Sequence, residues 1–153
     1  MMIEDKLKQM GLSLPAAPAP LASYVPAVVA GQLVFTSGQV PLVNGQLGWK
    51  GKVGREVDVE GGYQAARQCA LNCLAVVKGA CGSLDRIGRI VKVTGFVSSA
   101  PGFNDQAKVV NGASDFLLDL LGDAGRHARA AVGVSELPLD APVEVEMVVQ
   151  LRD

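Results

Sequence analysis

Aromatic residues, histidine, long apolar runs and any excess of one charge are all scarce in this chain. Only 5% of its 153 residues are Phe, Trp or Tyr, so the interior must be filled by aliphatic side chains. Fourteen Lys and Arg stand against 15 Asp and Glu. The basic residues are scattered, which argues against a nucleic-acid partner, because phosphates need a continuous basic footprint. No uncharged apolar run is long enough for a transmembrane helix, so no membrane association is expected. The start, Met-Met-Ile-Glu-Asp-Lys, puts charges where a signal peptide needs an apolar stretch, and a cytoplasmic protein is expected. The three cysteines, Cys69, Cys73 and Cys81, fall in one predicted helix. Their odd number argues against a disulfide framework and for small core residues in a reducing compartment. The single histidine, His127, is far from them in sequence, so no metal-ligand set is spelled out. In a charged loop before a strand it reads as solvated.

What is present is an aliphatic, glycine-rich pattern: 49% of residues are hydrophobic and 18 are glycine. Residues 2 to 10 repeat Ile3, Leu7 and Met10 at helical steps, predicting a short peripheral helix, and Leu14 to Pro20 reads as a proline-rich linker. Residues 1–19 therefore form a helix and linker, with a single domain over 20–153. Val25–Val29 and Leu33–Ser37 flank a glycine turn and predict a hairpin. The stretch from Asn44-Gly45 to Gly54, with Trp49, reads as an exposed loop or ragged hairpin. A helix is predicted from about 59 to 80, capped by Asp58 and weakened at its start by Gly61 and Gly62. A strand follows over Arg86–Val97. A second long helix, capped by Asn104 or Asp105, runs to Gly122. Strands near 129–135 and 143–151 complete the order ββαβαββ, an α+β layer pair with two main helices on one face of the sheet. The other face needs cover, and a second copy of the chain is the simplest cover.

The segment from Arg129 through Val143-Glu-Val-Glu-Met-Val148 carries the chemistry. A period of two sends Val143, Val145 and Met147 to one face and Glu144 and Glu146 to the other. Arg129 is expected to lie beside the two acids. Its planar fork suits a carboxylate, either an internal glutamate in a strand-to-strand salt bridge or an incoming small acid.

These residues bring out a likeness. The chain resembles the Rid family (RidA/YjgF, also labelled L-PSP endoribonuclease) over roughly residues 20 to 151. The matching stretches are Tyr24, Phe35-Thr-Ser-Gly-Gln-Val-Pro41, Val93-Thr-Gly-Phe-Val97 through Asn111, and Arg129 followed by Leu137-Pro138 and Val143-Glu-Val-Glu146. The resemblance implies a chorismate-mutase-like two-layer fold with a mixed sheet, assembled as a homotrimer with clefts between subunits. It implies an enamine/imine deaminase that hydrolyses small 2-imino acids to 2-keto acids and ammonia. Arg129 would grip the substrate carboxylate and Glu144 would orient water. Tyr24, Ser37 and Asn111 would line the cleft, with Gly38 where backbone approaches the ligand. The imine carbon is already electrophilic, so no metal or organic cofactor is required.

Departures from the family pattern are also plain. The cysteine common two residues after the arginine is Ala131 here. Set beside the common members of the family, the path from Val97 to Asn111 is about four residues longer. Leu-Ala-Ser replaces the usual Gly-Pro before Tyr24, so a divergent subgroup is expected. Two other readings stand beside the deaminase. One is a non-catalytic trimer that binds a small acid for sensing or regulation. The weaker one is an endoribonuclease, which the balanced charge and the lack of a histidine pair oppose.

Overall fold

The computed structural model describes residues 1–19 and 23–153. Pro20, Leu21 and Ala22 lie outside the described residues, and with them the expected domain boundary and part of the segment preceding Tyr24. The order of elements is α1 (Ile3–Gln9), β1 (Ala27–Ala30), β2 (Leu33–Thr36), β3 (Leu42–Val43), β4 (Gln46–Leu47), α2 (Val59–Cys81), β5 (Ile87–Ser98), α3 (Gln106–Leu121), β6 (Ala128–Val134) and β7 (Val143–Leu151). Five strands form one sheet in the order β1-β2-β7-β5-β6, and β3 pairs only with β4. The β5–β6 pair is parallel and the other pairs are antiparallel, so the sheet is mixed as expected.

Burial along β7 alternates as the period of two requires. Val143, Val145, Met147, Val149 and Leu151 are buried beneath the helices, while Glu146 and Gln150 are exposed. Helix α2 begins where the Asp58 carboxylate accepts the Gly61 N–H at 2.7 Å, satisfying one of the unpaired amides of the first turn. Of the two glycines at this end, Gly62 has a packing role, matched by Gly112 on α3. A Cβ on Gly62 would lie 3.0 Å from Val109, and one on Gly112 would lie 1.9 Å from the Tyr63 carbonyl oxygen. Bare glycines thus let α2 and α3 cross almost backbone to backbone.

Cys69 and Cys73 face the sheet from α2, with their thiols donating to the Val143 and Val145 carbonyls at 3.5 and 3.3 Å. Burial pushes both thiols up, that of Cys73 to about 12. They are therefore core residues and not nucleophiles.

Three local expectations are corrected. Helix α1 is anchored, since Leu7 is 1% exposed within the core and Lys78 reaches Glu4 at 2.8 Å. The stretch after Asn44 is a two-residue hairpin whose continuation is not all exposed: Val53 is fully buried and bridges Ser99. At the start of α3, Asp105 occupies the capping position without a side-chain capping bond. There Gln106 Nε2 ties the turn down by donating to the Phe103 carbonyl at 2.9 Å and to Ser99 Oγ at 3.2 Å.

The sheet face away from the helices is bare. Val28, Phe35 and Val132 are 55%, 43% and 43% exposed on it. Among the described residues no helix is long and apolar enough to cross a membrane.

The glycine crossing gives a test with a definite sign. In an ordinary helix interior Gly→Ala stabilises by about 0.8–1 kcal/mol. Gly112→Ala should instead destabilise by about 1–3 kcal/mol, because the helices must separate to admit the methyl group. Urea denaturation reads the difference, and a gain in stability would contradict the close crossing.

Candidate functional site

The sequence-predicted residues form two clusters. In the first, Arg129 lies on the edge strand β6 opposite Val93 of β5 and therefore points to the helix-covered face. Its Nη1 donates to Asn111 Oδ1 at 2.8 Å and to Ser114 Oγ at 3.2 Å, both on α3. Asn111 and Ser114 are three residues apart and so share one helix face. Among the described residues Nε and Nη2 have no protein acceptor, which leaves a two-pronged donor fork available to a carboxylate. The guanidinium borders a cavity of about 280 Å³ walled also by Leu118, Gly125 and His127.

In the second cluster, Glu144 lies opposite Phe96 on the bare face. Gly38 packs against it so closely that a Cβ there would lie 2.9 Å from the Glu144 carboxyl carbon. Burial, and secondarily the charge of Glu146 on the same face, hold the Glu144 carboxyl above its ordinary pKa. Ser37 Oγ donates to the Val25 carbonyl at 2.7 Å, fixing the chain beside Tyr24, which is 57% exposed.

The expectation that Arg129 lies beside Glu144 and Glu146 is thus overturned within one chain. Strand β5 separates β6 from β7, and the side chains leave opposite faces. No ion pair among the described residues joins them, so the strand-to-strand salt bridge falls away. His127 is also not simply solvated. It is half-buried, with Nε2 at 2.9 Å from Ser114 Oγ and Nδ1 at 2.6 Å from the Gly125 carbonyl. Sequence reasoning passed over Ser114. The available signal was its helical spacing from Asn111; His127 precedes β6, so strand alternation does not place it.

The family described as "YjgF/chorismate mutase-like, putative endoribonuclease" matches residues 4–151. The chain belongs to the YjgF/Rid family. It is 44% identical to protein TCP17 of Trypanosoma cruzi over 99% of this chain and 95% of that one. It is 36% identical to the 2-iminobutanoate/2-iminopropanoate deaminase of Escherichia coli K12, over 89% and 93% of the two chains. Among solved structures, Atu1372 of Agrobacterium tumefaciens, of unknown function, superposes with a TM-score of 0.92 at 46% identity, covering 98% of this chain and 92% of that one. E. coli TdcF with bound serine superposes at 0.65 and 30% identity, covering 90% and 94%. YjgF/Rid membership accounts for the order of elements. The family match also reaches further toward the N-terminus than residues 20 to 151, taking in most of α1.

The Gly38–Glu144 contact is with a side chain, so its effect should be reversible. Gly38→Ala should cost about 1–3 kcal/mol as Glu144 is forced aside. The double variant Gly38→Ala/Glu144→Ala should recover most of that loss. Chemical denaturation of the four proteins checks it, and additive losses would show that the backbone sets the limit.

Proposed function

We propose that this protein is a homotrimeric enamine/imine deaminase, hydrolysing small 2-imino acids to 2-keto acids and ammonia in clefts between subunits. The observation that carries the proposal is the division of the site: an Arg129 fork whose Nε and Nη2 have no acceptor among the described residues on one face, and a raised Glu144 carboxyl on the other. A second copy seated on the bare face, with its exposed Val28, Phe35 and Val132, offers a way to bring one chain's fork to the other's acid. The deaminase named among the relatives and the serine bound by TdcF support a ligand of amino-acid size.

In this reading Arg129 holds the substrate carboxylate and thereby aims the imine carbon. Asn111 keeps the guanidinium in place. Glu144, with Ser37 and the Gly38 backbone beside it, holds a water molecule. The water oxygen bonds to the imine carbon as Glu144 takes its proton, giving a carbinolamine. Glu144 passes that proton to the nitrogen, and the carbon–nitrogen bond then breaks as the hydroxyl proton follows it to the departing nitrogen by way of the Glu144 carboxylate, leaving 2-keto acid and ammonia. A carboxyl raised toward neutrality is a better proton acceptor for this task than a fully solvated one. Tyr24, exposed in the lone chain, would close the cleft's rim.

Mass measurement in solution should find a trimer at micromolar concentration, and a monomer would remove the shared cleft. Arg129→Lys should keep charge and fold but weaken binding of small 2-keto acids, because an ammonium cannot reproduce the planar fork. Glu144→Gln should keep the trimer and bind the keto acid nearly as well. With 2-iminobutyrate generated in place, its turnover should fall at least about a hundredfold. Equal turnover in parent and variant would take Glu144 out of the mechanism. Acid binding that depends on Arg129, with no turnover in either protein, would favour a binding module.

A further inference from the structure

We infer that His127 is a positioning residue that aims the Arg129 fork through the Ser114 hydroxyl; this rests on the carboxylate-binding role of Arg129 proposed above. The four groups form a chain of hydrogen bonds. Arg129 Nη1 donates to Ser114 Oγ at 3.2 Å, Ser114 Oγ lies 2.9 Å from His127 Nε2, and His127 Nδ1 lies 2.6 Å from the Gly125 carbonyl oxygen. A carbonyl can only accept, so Nδ1 carries the proton, and in the neutral ring Nε2 is bare and accepts from Ser114. The Ser114 proton is thereby turned away from Arg129, and its oxygen lone pairs are left to receive Nη1–H. Every donor in the chain points the same way, an arrangement in which each bond polarises the next.

Two contacts matter more than one because the guanidinium is planar. Asn111 alone would be a pivot. Asn111 and Ser114 together occupy both hydrogens of Nη1, fixing the plane and so the direction in which Nε–H and Nη2–H point. Without a histidine acceptor, the Ser114 hydroxyl would be free to turn its proton to a carbonyl one helical turn back or to water. The far end of the chain is itself held. Gly125 packs so tightly on α3 that a Cβ there would lie 2.2 Å from the Leu117 carbonyl oxygen. Nearby charges are engaged elsewhere: Asp115 accepts from Tyr63 Oη at 2.8 Å, and Arg126 pairs with Asp123 at 3.4 Å.

The test uses the full chain, with pyruvate as a 2-keto acid probe in calorimetry and 2-iminobutyrate turnover as the kinetic readout. His127→Leu should weaken pyruvate binding about three- to tenfold, the scale of one neutral hydrogen bond. In turnover the loss should fall mainly on KM, because Glu144 is untouched. His127→Gln, whose amide oxygen can reach the former Nε2 position, should restore binding to within about twofold of the parent. Ser114→Ala should match His127→Leu, and the double variant should be no weaker than either alone.

A parent-like His127→Leu, a failed Gln rescue or additive losses would each overturn the inference. A ligand-free measurement separates it from the proposed function. Rotation about the Arg129 Cζ–Nε bond, followed by nitrogen-15 NMR, should be slow in the parent and in His127→Gln and fast in His127→Leu. Slow rotation in a parent that binds no keto acid would sink the carboxylate reading and leave the positioning chain standing. Fast rotation in the parent would sink the chain. Should His127→Leu not fold, Ser114→Ala supplies the same comparison from a helix face.

Discussion

The alternation of side chains along β7 is the constraint on which the rest of the structure depends. This strand lies inside the sheet between β2 and β5, so its register is fixed on both sides. Burying Val143, Val145, Met147 and Val149 on the face that α2 covers sends Glu144 and Glu146 to the opposite face. A slip of one residue would bury two carboxylates and expose four aliphatic side chains, a change worth many kcal/mol by area and desolvation alike. The apolar core therefore determines where the acids stand.

Close helix packing does for Arg129 what the strand does for Glu144. Gly62 and Gly112 let α2 and α3 approach, and Gly125 lets the following 3-10 turn fold against the end of α3. Those contacts set the rotation of α3, which presents Asn111 and Ser114 to the edge strand. An arginine on β6 then has two fixed acceptors for one amino group. The remaining nitrogens have no partner among the described residues, an arrangement suited to a ligand more than to holding strands together.

The two halves explain why a shared cleft is the economical reading. Charge at the bare face is confined to a few positions amid Val28, Phe35, Phe96, Val132 and Val148, and that surface resembles the core of an interface more than an ordinary solvated sheet. Covering it would dry the surroundings of Glu144 further. An arginine brought from another copy would act in the opposite direction, favouring the carboxylate form, and the balance of the two would set its basicity in the assembly.

Much of this was legible in the residues themselves. The order of elements, the Asp58 cap, the glycine stop after α3 and the two faces of β7 follow from local propensity and periodicity, which act over a few neighbouring residues. The four matching stretches identified the family for the same reason, since each motif is local. Gly61 and Gly62 read locally as a weak helix start, yet the purpose of Gly62 was visible only once α3 lay against it. His127 read as solvated because nothing near it in sequence reveals Ser114 as its partner. The separation of Arg129 from Glu144 was likewise hidden, because alternation gives faces within a strand but not which strand lies between two others. The sequence alone determined that β7 sends its two acids to one face and that Arg129 stands on a neighbouring segment; only tertiary packing decided that one chain holds Arg129 and Glu144 on opposite faces of its sheet, because strand order and helix rotation are set by long-range burial and not by local sequence pattern.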